Sequence, residues 1–166
     1  PHNPLFVGRL GSAAVLRRHG MANVQELDWW QQLAIGEDIT LSGVPAQHFS
    51  QRTPWDRDKC LWLGYVLQTL SGAIYFAGDT GMGPHFEQIR QCFGPMTLSL
   101  LPIGAYKPRW FMAPMHLSPH EAVLVHKQLQ SDYSIGIHFG TFQLADDGRD
   151  EAVEELPRAR AKEGIS

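Results

Sequence analysis

Cysteine is nearly absent from this chain of 166 residues, which has only Cys60 and Cys92. Both stand in apolar stretches, and no Cys-x-x-Cys pair occurs. A disulfide framework is therefore not expected, and both thiols read as buried and free in a reducing compartment. Basic runs are missing too, and the formal net charge is −3, so nucleic acid is not an expected partner. No apolar run approaches the roughly 20 residues of a membrane-spanning helix. The opening Pro1-His2-Asn3 lacks the charged-then-apolar pattern of a signal peptide, and a cytoplasmic location is expected. It also lacks a methionine, so the chain is expected to be a piece of a longer protein. There is no glycine-rich nucleotide loop, no Gly-x-Ser-x-Gly elbow, no repeat and no low-complexity segment.

What is present is enough apolar material for one domain over residues 1–166, with no internal boundary. Hydrophobic residues make up 43% of the chain, which excludes a disordered chain and allows a sizeable core. Short apolar runs predict strands at residues 5–7, 24–27, 39–44, 60–67, 73–77, 98–103 and 133–138. Helices are predicted at 11–18, near 85–92 and at 150–163, where Pro157 is expected to kink or split the last one. Ser118-Pro119-His120-Glu121 predicts another helix start, with an N-cap, a proline at the first position and a capping box. Residues 104–118 read as irregular. Strands and helices interleave, so the class is α/β or α+β. Strands such as 60–67 and 73–77 are apolar on both faces and call for cover on both sides.

The centre of the pattern is Ala73-Ile-Tyr-Phe-Ala-Gly-Asp79-Thr-Gly81, a buried strand that ends in a carboxylate between glycines. Asp79 is either a site residue on a rigid strand end or an ordinary turn former. His48 and His138 follow apolar strands in the same way. If those strands share one sheet, the three groups reach one edge, and imidazole and carboxylate suit zinc or a similar ion. Taken singly, a histidine at a strand end is more often a loop hydrogen-bonder than a ligand. His116 lies in the aromatic segment before the strong helix start and is open to either reading. His2, His19, His85, His120 and His126 read as surface or structural. Arg109 is a candidate for binding phosphate and Trp110 for an apolar group, with surface packing as the alternative for Trp110.

Four ordered blocks carry a resemblance: Pro45-Ala-Gln-His48, Phe76-Ala-Gly-Asp-Thr-Gly81, Leu101-Pro-Ile-Gly-Ala-Tyr106 with Pro108-Arg-Trp-Phe-Met112, and Ile137-His-Phe-Gly-Thr-Phe142. Together they resemble the second half of the metallo-β-lactamase superfamily. More narrowly, they resemble its N-acyl-phosphatidylethanolamine-hydrolysing phospholipase D branch, which Leu27-Asp-Trp-Trp30 and Arg52-Thr-Pro-Trp55 also fit. The resemblance implies an αββα sandwich with two metal ions, usually zinc, at one edge. It implies that His48 and His138 bind one metal each, that Asp79 bridges the two and so is also catalytic, and that His116 lies by the substrate phosphate. Tyr106, Arg109 and Trp110 are the residues expected at the substrate. The superfamily's His-x-His-x-Asp-His motif is absent from this sequence, so the chain resembles the C-terminal part of the domain.

The function expected is a zinc-dependent phosphodiesterase acting on a phospholipid or related phosphate ester, incomplete and inactive as this chain alone. Expected partners are that substrate, peripheral contact with a membrane, and either a missing N-terminal half or a second copy. A hydrolase of a lactone or RNA on the same fold, and a non-catalytic binding or dimerisation module, are the alternatives.

Overall fold

The structure, a computed structural model, describes residues 3–51 and 53–165, so His2 and Arg52 lie outside the described residues. In chain order the elements are β1 (Phe6–Arg9), α1 (Ala13–Arg18), β2 (Val24–Leu27), β3 (Gln32–Gly36), β4 (Ile39–Pro45), β5 (Leu63–Thr69), β6 (Gly72–Phe76), α2 (His85–Phe93), β7 (Leu98–Pro102), α3 (Arg109–Met112), α4 (Pro119–Leu129), β8 (Tyr133–Ile137) and α5 (Glu151–Lys162). β1 and β2 form a small parallel pair, and the other strands form one mixed sheet in the order β3-β4-β5-β6-β7-β8. β4 and β6 both run antiparallel to β5, and β7 and β8 run parallel to β6. The C-terminal ends of β4, β6, β7 and β8 therefore leave the sheet at the same edge. Ligand sites in open α/β sheets form at such edges.

Register decides the two faces. Ser42, Val66, Tyr75 and Ser99 lie opposite one another across β4 to β7 and are all buried. On that face Tyr75 joins Phe86 and Ile89 of α2, Val125 and Leu129 of α4, and Ala152 of α5 in one core cluster. The helical spacing explains the fit, because positions three and four apart share a face. Full burial of each large apolar side chain contributes roughly 1.5–3 kcal/mol. α4 begins as its sequence predicts. Ser118 Oγ accepts from Glu121 N–H at 3.3 Å, and the Glu121 carboxylate accepts from Ser118 N–H at 2.8 Å.

The opposite face carries Leu41, Leu67, Ile74, Leu98 and Tyr133 in one row, and Tyr65, Phe76, Leu100 and Ile135 in the next. The end of β2 covers one corner of this face. There, a Cβ on Gly43 would meet Asp28 O at 2.6 Å, and Leu27 is buried. Beyond that corner the face is open, with Phe76 43%, Ile135 52% and Tyr133 72% exposed. The sequence calls for cover on both sides, and the structure has it on one. A continuous apolar run reports two apolar faces, not two occupied ones.

Other expectations are corrected. Strand β5 starts at Leu63, not residue 60, because neighbouring backbone groups are paired elsewhere. Ser50 Oγ bonds both Cys60 O (2.6 Å) and Cys60 N (3.1 Å), and Trp62 O accepts from Trp29 Nε1 at 2.7 Å. Cys92 is exposed and Cys60 half-buried, although both are free as expected. β3 was not expected because its residues are mostly exposed and show no alternation. Residues 104–118 contain the one-turn helix α3. Pro157 does not split α5, which runs as one helix. A proline there removes one backbone donor, and the carbonyl left over belongs to exposed Val153, where water can satisfy it. Among the described residues no helix is long and apolar enough to cross a membrane.

Candidate functional site

Four segments meet at the edge where β4, β6, β7 and β8 end, and backbone hydrogen bonds hold them together. The buried Thr80 is the knot. Its hydroxyl accepts from Gln47 N–H at 2.9 Å and donates to Gly81 O at 2.9 Å, with His85 Nε2 at 3.1 Å. Gly81 N–H donates to Gln47 O (2.9 Å), and Leu117 N–H donates to Thr80 O (3.0 Å). The segments bearing His48, Asp79 and His116 are thereby tied to one residue. Gly81 is required by close approach, since a Cβ would meet Pro114 O at 2.5 Å. The fourth segment arrives through Ile103 N–H, which donates to Ile137 O at 3.0 Å, and through Gly104, where a Cβ would meet His138 O at 2.3 Å.

His138 sits at φ +61, a left-handed conformation that costs a non-glycine residue about 1–2 kcal/mol. It is the first residue past β8, and the turn directs its ring at the cluster. His138 Nε2 lies 3.3 Å from Asp79 Oδ1. His48 Nε2 lies 3.4 Å from His116 Nε2, and the His116 ring stacks on that of His138 with centroids 5.2 Å apart. The structure thus brings His48, Asp79, His116 and His138 together as two contacting pairs joined by a ring stack. His116 is buried, and Asp79 is about half exposed. Burial, with His48 and His138 next to it, pushes His116 down to about 4, so it is neutral at pH 7 and offers a hydrogen bond without a charge. Burial alone pushes His85 down to about 4.

Of the three expected substrate residues, two are engaged within the protein and one is exposed. Tyr106 is 2% exposed and belongs to the core, its hydroxyl kept protonated by burial and by Glu155. Arg109 is engaged within the protein, with Nη2 on both Glu121 oxygens (2.9 and 2.7 Å) and Nη1 on His116 O (2.9 Å). Trp110 is 84% exposed and meets Phe111 edge-on. Sequence reasoning missed Thr80, since Asp-Thr-Gly is ordinary turn chemistry, and for His85 the reading left surface and structural roles open, of which the structure shows the structural one. Sequence reasoning also missed Asp147, whose carboxylate accepts from the N–H groups of Ala105 (2.9 Å), Tyr106 (3.0 Å) and Lys107 (3.4 Å). Asp146-Asp147-Gly148 gives a turn signal and nothing more.

The cluster can be tested as a metal centre from its own atoms. Two imidazoles and a carboxylate are zinc donors in kind. His48 shows the outer-shell bond usual for a ligating imidazole, with Nδ1 2.7 Å from Phe49 O and Nε2 turned inward. His138 does not, because its Nδ1 is buried without a partner, as is that of His116. Among the described residues no three His, Cys, Asp or Glu groups converge on a point that could hold an ion. The donors suit a metal in kind and fall short of a closed site in placement.

The profile of the Beta-lactamase superfamily domain matches residues 4–139. The chain belongs to this superfamily. Its mixed sheet and helices have the metallo-β-lactamase fold. The chain is 41% identical over 148 residues to the N-acyl-phosphatidylethanolamine-hydrolyzing phospholipase D 1 of Caenorhabditis elegans, over 87% of this chain and 40% of that protein. It is 36% identical over 160 residues to the mitochondrial N-acyl-phosphatidylethanolamine-hydrolyzing phospholipase D of Saccharomyces cerevisiae, over 93% of this chain and 34% of that one. It therefore spans well under half the length of these curated relatives. Among solved structures, the isothiocyanate hydrolase from Delia radicum gut bacteria superposes with TM-score 0.73 at 19% identity, over 99% of this chain and 62% of that one. That likeness concerns the fold alone.

Proposed function

We propose that this chain carries part of the active site of a metal-dependent hydrolase whose substrate is the phosphodiester of a phospholipid or a related phosphate ester. The observation that carries the reading is the meeting of His48, Asp79, His116 and His138 at one sheet edge in a chain 41% identical to a protein named as a phospholipase D. His48, Asp79 and His138 are the proposed metal-facing groups, with zinc as the metal and two ions in the complete site. Ligands beyond these three close the centre. A divalent ion held by these groups would supply an activated water and polarisation of the phosphoryl oxygen.

The chain's own residues do the rest. Asp79 is about half exposed and keeps lone pairs beyond the contact of its Oδ1 to His138. His116, neutral and fixed at its backbone, presents an imidazole to a phosphate oxygen without adding charge. Trp110 and Phe111, exposed beside the site segment, are the proposed apolar contact for a lipid. The open sheet face is the proposed seat of the remaining part of the fold or of a second copy.

A non-catalytic binding module is the second reading, favoured by the lack of three convergent donors among the described residues. The test uses zinc-loaded protein and bis(4-nitrophenyl) phosphate. The chain is assayed alone and joined to the part of the Caenorhabditis elegans relative that its match leaves uncovered. Hydrolysis is expected in the joined protein only, and Asp79→Asn or His138→Ala should lower it by about 10–100-fold or more. Equal turnover from the chain alone would place the chemistry elsewhere. A joined protein that binds zinc and hydrolyses nothing would favour the binding module.

A further inference from the structure

His116 differs from its three neighbours in having no strand behind it. His48, Asp79 and His138 each follow a strand of the sheet, which fixes their backbones. His116 lies between α3 and α4, outside the sheet ladder, and its segment is tied to the sheet edge at its neighbours, by Leu117 N–H on Thr80 O (3.0 Å) and by Gln47 Nε2 on Pro114 O (2.8 Å). The carbonyl of His116 itself has a separate hold. Arg109 opens α3, and its Nη2 alone reaches both oxygens of Glu121, in the first turn of α4, while Nη1 donates to His116 O at 2.9 Å and to Tyr106 O at 3.3 Å. Glu121 in turn accepts from Ser118 N–H at 2.8 Å. His116 N–H donates to Met112 O at 2.9 Å. The ends of both helices are thus bridged by one ion pair, and the carbonyl of His116 is bound to the bridge.

From this geometry we infer that Arg109 and Glu121 are positioning residues that set the His116 ring against His138, and that Arg109 does not itself take the substrate phosphate. Both terminal nitrogens of Arg109 are occupied, and a phosphate would have to displace a charge-assisted carboxylate contact on Nη2 or the two carbonyls on Nη1. The planar guanidinium forks between Glu121 on Nη2 and the His116 carbonyl on Nη1, a fixed span that the compact ammonium of lysine does not reproduce. The inference rests on the proposed role of His116 for its meaning in catalysis, but its geometry is testable without any activity.

The test is nuclear magnetic resonance of the full chain, reading the imidazole resonances and the cross-peak between the His116 and His138 rings. Three variants separate the possibilities. Arg109→Lys keeps the charge and loses the fork. Glu121→Gln loses the charge and keeps the helix cap, since glutamine also closes a capping box. Ser118→Ala loses the cap and keeps the fork. We expect Arg109→Lys and Glu121→Gln to shift the His116 ring signals and lose the cross-peak, and Ser118→Ala to lower the melting temperature while keeping both. In the joined protein the first two should lower kcat for bis(4-nitrophenyl) phosphate and leave KM unchanged. A cross-peak that survives Arg109→Lys and Glu121→Gln would overturn the inference, as would a rise in KM alone in Arg109→Lys, which would return Arg109 to the substrate. If the joined wild type hydrolyses nothing, the functional reading fails, and the ring signals still decide the role of Arg109.

Discussion

The two faces of the six-stranded sheet are built from similar residues and have opposite fates. One face presents Val66, Tyr75 and Leu101 to α2, α4 and α5 and is sealed. The other presents Ile74, Phe76 and Ile135, no less apolar, and is open beyond the corner under β2. The composition of a face therefore does not tell whether it holds the fold together. What tells is whether a helix in the same chain reaches it. The sealed face carries the stability, and the open one carries the tendency to associate, because exposed apolar sheet surface favours association.

Emptying the sealed face should have the largest effect. Phe86→Ala removes a fully buried ring from the cluster, and a loss of about 3–5 kcal/mol is expected in urea unfolding. A loss below about 1 kcal/mol would mean that the helices are not what holds the sheet. Acid should act next. His85 and His116 are both held near 4, against an ordinary value of 6.5. Their depressed values mean that the folded state prefers them neutral. The stability they contribute is complete above about pH 6.5 and is lost as pH falls from there toward 4. Unfolding free energies measured across that range should drop, and His85→Gln should flatten part of the slope. An unchanged slope in that variant would show that His85 is not buried as described.

The helix start comes third. Ser118→Ala removes the capping hydroxyl and should cost about 1 kcal/mol, read from the same denaturant curves. The smallest effect on stability belongs to the open face, where Phe76→Lys with Ile135→Lys should shift unfolding by only about 0.5 kcal/mol. The same pair should abolish self-association of the chain in sedimentation velocity. A wild-type chain that sediments as a monomer at all concentrations would break the contrast between the faces.

Much of this architecture is legible in the sequence where local chemistry decides it. The α4 start is written in Ser118, Pro119 and Glu121, and the structure closes that box as written. Apolar runs that end in His48, Asp79 or His138 locate three strand ends, because β4, β6 and β8 stop at a proline or a glycine-bearing turn. What the sequence does not show is what each polar group pairs with across the fold. Arg109 is a cation in any reading, and only the fold brings Glu121 within its fork. Tyr106 stands in an aromatic segment that reads as irregular and is expected at the substrate, yet Asp147 binds its N–H and its ring belongs to the core. Cys60 and Trp62 are apolar enough for a strand, but Ser50 and Trp29 occupy their backbone groups. Long-range pairing of this kind leaves no periodic trace.

The common exit edge of β4, β6, β7 and β8 has a practical corollary for anyone who wishes to handle this protein. Every group of the candidate site lies on one rim, so the opposite rim is free for modification. The tight turn between β5 and β6 is on that far rim, and its Leu70 is among the most exposed residues described. A fluorophore, an affinity tag or an inserted peptide at that turn stands a full strand length from the histidine cluster. It can report on the site or immobilise the protein with the rim that matters facing outward.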